Sequence, residues 1–174
     1  NSQALKSLSG AIALEADLKD EKSCRAMVDE AAKRLGRLDI LVNNAAGNFY
    51  APSATLSPNA WRAVVETDLY GTFHCCQAAY PLMREQGGGR IVSISMTLHY
   101  RAWPLMAHAT AAKAGVDALT RTLALEWAPD RITVNAVLRS IIDTAANRAS
   151  MPKADFSKWV KPKELADVIL FLAS

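Results

Sequence analysis

Short apolar runs recur along the chain, and each is bounded by residues that favour turns. The strongest cover 38–42, 90–95 and 132–137, and a weaker one covers 11–14. Apolar runs of this length without alternation are typical of strands that are buried on both faces. We therefore expect a strand at each of the four positions, with the strand at 38–42 as the central one.

The segments between these runs carry apolar residues at helical spacing. Asp20 and Ser57-Pro58 are strong helix starts, and Gly36 and the glycines at 87–89 are natural stops. The pattern predicts helices over 21–35, 59–83, 107–127 and 162–172, and the end of a further helix over 1–10. Near one face of the helix over 59–83 it places Trp61, Val64, Val65, Leu69, Phe73 and Cys76.

Strands that alternate with long helices predict an α/β fold, with a doubly wound parallel sheet and helices on both faces. The 174 residues are enough for one such domain, over 1–174. Ligands in such sheets bind beyond the carboxyl ends of the strands. There Asn43 and Asn44 are followed by Ala45, Ala46 and Gly47, whose small side chains leave the backbone open to close approach.

Composition narrows the class of function. A formal net charge of +3 without a run of basic residues gives no support for nucleic acid as a partner. The three cysteines form neither a disulfide framework nor a zinc-binding spacing, which favours a reducing, cytoplasmic location and no metal. No apolar run has the length of a membrane span, so we expect no membrane partner.

The order of several motifs resembles the short-chain dehydrogenase/reductase superfamily. Residues 43–47 are similar to its NNAG motif, and residues 111–115 and 134–136 follow at the spacing of that family. The resemblance covers nearly the whole chain and implies a Rossmann-like fold with NADP, or alternatively NAD, as cofactor. By position it implies cofactor contacts from Asp17, Leu18, Asn44, Ala45, Ala46, Gly47, Lys113, Ile141, Ile142 and Thr144.

One part of the family pattern does not occur in this sequence. The family opens with a strand and a glycine-rich turn that holds the dinucleotide phosphates, and no G-x-x-x-G-x-G is found here. We therefore expect 1–174 to be a partial dinucleotide-binding domain, truncated at both ends. A chain of only this length is expected to bind the cofactor weakly or not at all.

The usual catalytic residues of the family are Asn, Ser, Tyr and Lys, with Tyr one helical turn before Lys. Lys113 matches the lysine, which by resemblance holds the nicotinamide ribose. Ala109 stands at the tyrosine position and Asp68 at the asparagine position. Met96 stands at the serine position, and Ser95 lies one place earlier. Three of the four positions therefore depart from the pattern.

Another acid is needed if the chemistry is that of the main family. Tyr100, on the loop expected over the active site, and His108, five residues before Lys113, are the candidates. The alternative for both is ordinary packing or a polar group at a helix start.

Residues 44–49 and 108–117 resemble the peroxisomal type of 2,4-dienoyl-CoA reductase. That subfamily also lacks the tyrosine and carries aspartate at the position of Asp68. The resemblance implies an acyl-CoA substrate, whose reduction gives a dienolate with its charge on the thioester oxygen. Asp68 would then position the water that supplies the proton, and Phe49 and Trp103 could line an acyl pocket.

The carboxyl-terminal third of the chain leaves other functions open. Residues 143–157 resemble the dihydropteridine-reductase branch, and Arg139-Ser140 replaces the family's Pro-Gly after the strand at 132–137. A carbonyl or pteridine reductase is therefore an alternative, and so is an inactive domain that retains only the oligomer surface. By resemblance, the helices containing Thr72 and Leu119 form that surface in a homodimer or homotetramer.

Overall fold

The structure is a computed structural model that describes residues 10–174, without the side chains of residues 98 and 99. In this range a three-stranded parallel sheet has the order β1-β2-β3. The strands are β1 (Ile40–Asn43), β2 (Gly89–Met96) and β3 (Ile132–Arg139). Leu41 pairs with Ile91, and Ile91 with Val134, so the carboxyl ends of the strands lie at one edge. The predicted helix end over 1–10 lies outside the described residues, apart from Gly10.

Helices connect and cover the strands. They are α1 (Glu21–Leu35), α2 (Pro58–Val65), α3 (Gly71–Glu85), α4 (Leu98–Arg101), α5 (Ala107–Trp127), α6 (Ala145–Ser150) and α7 (Pro162–Ala173). A π-helical segment, Glu66–Tyr70, joins α2 to α3 and makes one continuous helix of them. Short 3-10 turns lie at Ser53–Thr55, Ala128–Asp130 and Phe156–Lys158.

The helix boundaries follow the local chemistry that the sequence predicts. The Asp20 carboxylate accepts hydrogen bonds from the backbone N–H groups of Lys22 and Ser23 and so begins α1. Gly36 ends this helix with φ of 81°, a left-handed conformation that glycine adopts without strain. Ser57 accepts from the N–H of Ala60 at the start of α2. The predicted long helices are confirmed.

Helices lie on both faces of the sheet. On one face, Ile91, Ile132 and Val134 form a core with Met83 of α3 and Leu123 of α5. On the other face Val92 and Ile94 are also buried, and α7 contacts β2 and β3. The predicted parallel α/β fold is therefore confirmed. Among the helices of residues 10–174, none combines the length and the apolar character that a membrane crossing requires.

The structure corrects two strand predictions. β1 is not buried on both faces, because Ile40 and Val42 are 44% and 40% exposed while Asn43 is buried. Within the described residues β1 is an edge strand, and α7 covers β2 and β3 rather than β1. The predicted strand over 11–14 is wrong, since this segment forms no regular secondary structure.

The helical face predicted for 59–83 is only partly buried. Val64 and Cys76 lie in the core, but Trp61 and Phe73 are 38% and 40% exposed. The π-helical segment lies between these two aromatic residues and shifts the later positions around the helix axis. Burial raises the pKa of the Cys75 and Cys76 thiols to about 12, as expected for inert core cysteines.

Candidate active site

A buried ion pair lies at the carboxyl edge of the sheet. The π-helical segment carries Asp68, which is 1% exposed, and α5 carries Lys113, which is 4% exposed. The two charged groups are 3.8 Å apart, from Asp68 Oδ2 to Lys113 Nζ. Asp68 Oδ1 accepts from the N–H of Gly47 at 2.8 Å, and Lys113 Nζ donates to the Ile94 carbonyl at 2.8 Å. The loop after β1, strand β2 and two helices therefore meet at this pair.

A glycine brings the predicted nucleotide-binding turn against the same helix. A Cβ on Gly71 would lie 2.9 Å from Leu18 Cβ, so only glycine allows this approach without movement. The Leu18 carbonyl oxygen lies 3.2 Å from His74 Nδ1 and also accepts from the Cys24 thiol at 3.5 Å. The turn containing Leu18 is thus fixed one helical turn away from Asp68.

Burial and charge act against each other at the ion pair. Burial raises the pKa of Asp68, while the Gly47 N–H and the charges of Lys113, His108 and Arg139 oppose that rise. Burial likewise lowers the pKa of Lys113, and the Asp68 charge opposes that change. Each charged group is therefore maintained by the other in a region with little water.

His108 is a buried polar residue that the sequence suggested only as a spare acid or a helix-start group. It is fully buried in the first turn of α5, and neither ring nitrogen has a hydrogen-bond partner within the described part of the chain. Its ring lies 4.5 Å from the Phe49 ring, between centroids. His108 is near enough to Asp68 to oppose the rise in the pKa of that carboxyl, so its ring borders the ion pair.

The other predicted catalytic residues lie differently. Ser95 is buried, and its hydroxyl donates to the Lys113 carbonyl at 3.4 Å, so it contacts the helix backbone. Tyr100 lies on α4, and its side chain is 71% exposed. It is therefore not part of the buried group around Asp68. Met96 packs with Ala109 in an apolar cluster where the family has serine and tyrosine.

The predicted cofactor residues near β1 are placed where a nucleotide could reach them. The four residues Asn44, Ala45, Ala46 and Gly47 follow β1 directly and are exposed. The Gly47 N–H donates to Asp68, and Leu18 contacts Gly71, which lies three residues after Asp68 in the chain. Asp17 is exposed, and its carboxylate accepts from the N–H of Lys19 at 3.1 Å.

The predicted residues after β3 are half-buried and held by local hydrogen bonds. Thr144 Oγ1 accepts from the N–H of Asn147 and begins α6, and the Ile142 carbonyl accepts from the Asn147 side chain at 2.8 Å. Ile141 also accepts, from the N–H of Val160 at 2.9 Å. His108 of α5 and Arg139 of β3 have buried nitrogen atoms without a partner among the described residues, which suits a polar ligand. Within residues 10–174 no group of acidic, His or Cys side chains could hold a metal ion.

Arg139 is the last residue of β3 and belongs to the site. In the sequence it stands out only because Arg139-Ser140 replaces the Pro-Gly of the family. Its Nε atom is buried without a hydrogen-bond partner, and Nη1 donates to the Ser140 carbonyl at 3.3 Å. Its charge acts on both Asp68 and Lys113. The available signal was a charged residue at the end of an otherwise apolar strand.

Comparison with known proteins identifies the class to which this fold and this site belong. A family model described as enoyl-(acyl carrier protein) reductase matches residues 1–174. The chain belongs to the short-chain dehydrogenase/reductase superfamily.

Several similar relatives share one name. The chain is 39% identical over 192 residues to a peroxisomal 2,4-dienoyl-CoA reductase of Danio rerio, covering 99% of this chain and 63% of the relative. It is 46% identical over 144 residues to the protein of that name from Arabidopsis thaliana, covering 77% and 48%. A solved structure classed as a short-chain alcohol dehydrogenase of Sinorhizobium meliloti 1021 superposes with a TM-score of 0.86 at 34% identity, covering 94% of this chain and 69% of that one. The chain thus spans about half to two thirds of the length of these relatives.

Proposed function

We propose that this chain is part of an NADP-dependent reductase that acts on a 2,4-dienoyl-CoA thioester. The observation that carries the proposal is the buried pair of Asp68 and Lys113, together with Ala109 at the position where the family has its phenol. The names of the relatives support the same substrate class. NAD is the alternative cofactor.

The residues present fit a nicotinamide dinucleotide at the carboxyl edge of the sheet. Asn44, Ala45, Ala46 and Gly47 would line the adenosine ribose, Asp17 and Leu18 the adenine, and Ile141, Ile142 and Thr144 the nicotinamide end. Lys113 would hold the nicotinamide ribose with an N–H that the Ile94 carbonyl does not use. When bound, the cofactor supplies a hydride to the substrate.

Asp68 has the geometry to position a proton source. Its Oδ1 atom is held by the Gly47 N–H, whereas Oδ2 faces the Lys113 ammonium at a distance longer than a hydrogen bond. A water molecule that donates to Oδ2 would be oriented by both charges. That water can protonate the enolate carbon, so no phenol is required.

Steady-state oxidation of NADPH with 2,4-hexadienoyl-CoA tests the proposal. We expect turnover by the protein, a loss of at least about 100-fold in Asp68→Asn, and an unchanged rate in Tyr100→Phe as the matched control. Loss of turnover in Tyr100→Phe, with a pterin or carbonyl substrate accepted instead, would favour the alternative reductase. A folded oligomer without NADPH oxidation on any of these substrates would indicate an inactive domain.

We also propose that the continuous helix from α2 to α3, with α5, pairs two copies of the chain in a dimer or tetramer. Trp61, Tyr70 and Phe73 on that helix are 38%, 50% and 40% exposed. Exposed aromatic side chains on one helix are typical of protein–protein interfaces. A cytoplasmic location stays a prediction, and the two dienoyl-CoA reductases named above are peroxisomal by name.

A further inference from the structure

Arg139 is a charged group at the site for which the proposed function has no role. Its Nε atom is buried without a hydrogen-bond partner. Among the described residues its side chain donates only to the neighbouring Ser140 carbonyl, and no carboxylate lies within ion-pair distance. A buried guanidinium donor without a partner is costly, because it has lost its water without gaining a hydrogen bond. The site therefore has an unused cationic donor.

The register of the sheet shows the side on which Arg139 lies. Arg139 pairs with Met96, and residues in register on parallel strands project from the same face. Met96 packs against Ala109 and Met106 at the start of α5. Arg139 therefore lies at the carboxyl edge of the sheet beside Met96, whose cluster includes Ala109, one helical turn before Lys113. Its effect on the pKa values of Asp68 and Lys113 agrees with this position.

The side chains in register and in contact with Arg139's neighbour Met96 offer a substrate oxygen no donor. Ala109 and Met96 have no N–H or O–H in their side chains. Lys113 donates to Ile94 and faces Asp68, and its remaining N–H is assigned above to the nicotinamide ribose. We propose that Arg139 donates to the thioester oxygen of the acyl-CoA substrate and stabilises the negative charge that develops there. Arg139 would then be a catalytic residue, and this inference rests on the proposed function.

The chemistry of the step suits a guanidinium. Addition of a hydride to the far carbon of the diene forms a C–H bond there, shifts both double bonds toward the thioester and leaves the charge on its oxygen. The guanidinium remains protonated throughout and only donates hydrogen bonds to that oxygen. The proton that completes the reaction goes to a carbon of the enolate and comes from water at Asp68. The hydroxide left from that water takes up a proton from solvent, so the net reaction consumes one hydride and one proton.

Enolate binding tests this role without cofactor or turnover. Acetoacetyl-CoA, whose enolate absorbs in the near ultraviolet, is added to the protein, to Arg139→Met and to Arg90→Met. Arg90 is the matched control, because it lies at the other end of β2 and donates to the Gly89 carbonyl. We expect the bound enolate band with the protein and with Arg90→Met, and its loss with Arg139→Met. An unchanged band in Arg139→Met would overturn the inference.

Turnover separates this inference from the proposed function. Loss of one donor to an oxyanion typically lowers kcat by about 100-fold or more. We expect that loss in Arg139→Met, a smaller change in KM, and partial rescue of Arg139→Ala by added guanidinium ions, which a structural role would not produce.

Normal turnover by Arg139→Met would end the inference and leave the proposed function standing. An enolate band that depends on Arg139, without any dienoyl-CoA reduction by the protein, would leave the oxygen-binding role of Arg139 standing and end the proposed function. If Arg139→Met fails to fold, Arg139→Lys replaces it, with a weakened band expected and an unchanged band counting against the inference.

Discussion

Asp68 and Lys113 carry opposite charges in a region that water hardly reaches, so each depends on the other. In Asp68→Asn the side chain can still accept from the Gly47 N–H, but Lys113 loses its nearest carboxylate. We expect a loss of about 3 kcal/mol in the free energy of unfolding at pH 7. Urea denaturation of the two proteins measures it.

The pH dependence of that loss has a definite sign. The pKa of Lys113 is already lowered by burial, and removal of Asp68 lowers it further. The folded variant therefore binds fewer protons than its unfolded chain up to the usual lysine pKa of about 10.4, and its stability rises with pH over that window. We expect the difference from the parent to shrink between pH 7 and pH 10. The double variant Asp68→Asn/Lys113→Met should recover most of the loss at pH 7, and its failure to do so would contradict the interpretation as a coupled pair.

A second prediction concerns the effect of His108 on the stability of the fold. Because neither ring nitrogen has a partner in the described structure, His108→Leu removes two unsatisfied polar atoms at nearly constant volume. We expect it to be as stable as the parent or about 1 kcal/mol more stable. His74→Leu is the matched comparison, and it should be less stable because the His74 ring bonds the Leu18 carbonyl. A clear loss of stability in His108→Leu would show that the imidazole has a partner.

The residues of the site differ in how far the sequence could predict them. The family pattern placed Asp68 and Lys113 correctly at one edge of the sheet, although nothing in the periodicity showed that they form an ion pair. His108 lies five residues before Lys113 and so on another part of the α5 surface, and the sequence suggested a spare acid, ordinary packing or a polar group at the helix start. It is buried because α5 packs against α2 on one side and against β2 and β3 on another. Burial on two sides removes the amphipathic signal on which such predictions depend.

At the scale of elements, the contact between Gly71 and Leu18 fixes the turn before α1 against the continuous helix. In Gly71→Ala the new Cβ would lie 2.9 Å from Leu18 Cβ and 3.2 Å from its carbonyl oxygen, so backbone has to move. We expect a loss of about 1–3 kcal/mol, as is typical of overpacking. Gly115→Ala is the control, because its Cβ would meet Leu69 Cδ2, the end of a flexible side chain, and alanine also favours the helix. Thermal unfolding that ranks the two variants equally would contradict this argument.

The elements themselves were largely predictable because their ends carry strong local signals. Asp20, Gly36 and Ser57 mark helix boundaries through hydrogen bonds or φ values that those residue types favour. The π-helical segment was not predictable, since the sequence Glu66–Tyr70 has the same helical spacing as its neighbours. Only its backbone hydrogen bonds distinguish it, such as the bond from the Gly71 N–H to the Glu66 carbonyl. The exposure of β1 was also hidden, because an apolar run predicts a strand but not which elements cover it.

At the scale of the whole molecule, the same helices that hold the ion pair on one side present aromatic rings on the other. Asp68 faces inward from the π-helical segment, while Tyr70 and Phe73 of the same continuous helix face outward. Association of two copies through this surface would therefore stabilise the helix that positions Asp68. The active site and the proposed interface are two faces of one element.

This coupling gives the last prediction. Phe73→Glu places a charge in the centre of the proposed interface, and we expect sedimentation velocity to show a shift from oligomer to monomer, because a buried unpaired charge opposes association. Leu35→Glu is the control, since Leu35 is 61% exposed at the end of α1, just before Leu38, which bonds Gln86 at the opposite end of α3 from Phe73, and the variant should keep the oligomer. A Phe73→Glu variant that sediments like the parent would rule out the proposed interface. If the variant is monomeric, the rate of NADPH oxidation should fall with it, because the helix that carries Asp68 has lost its support.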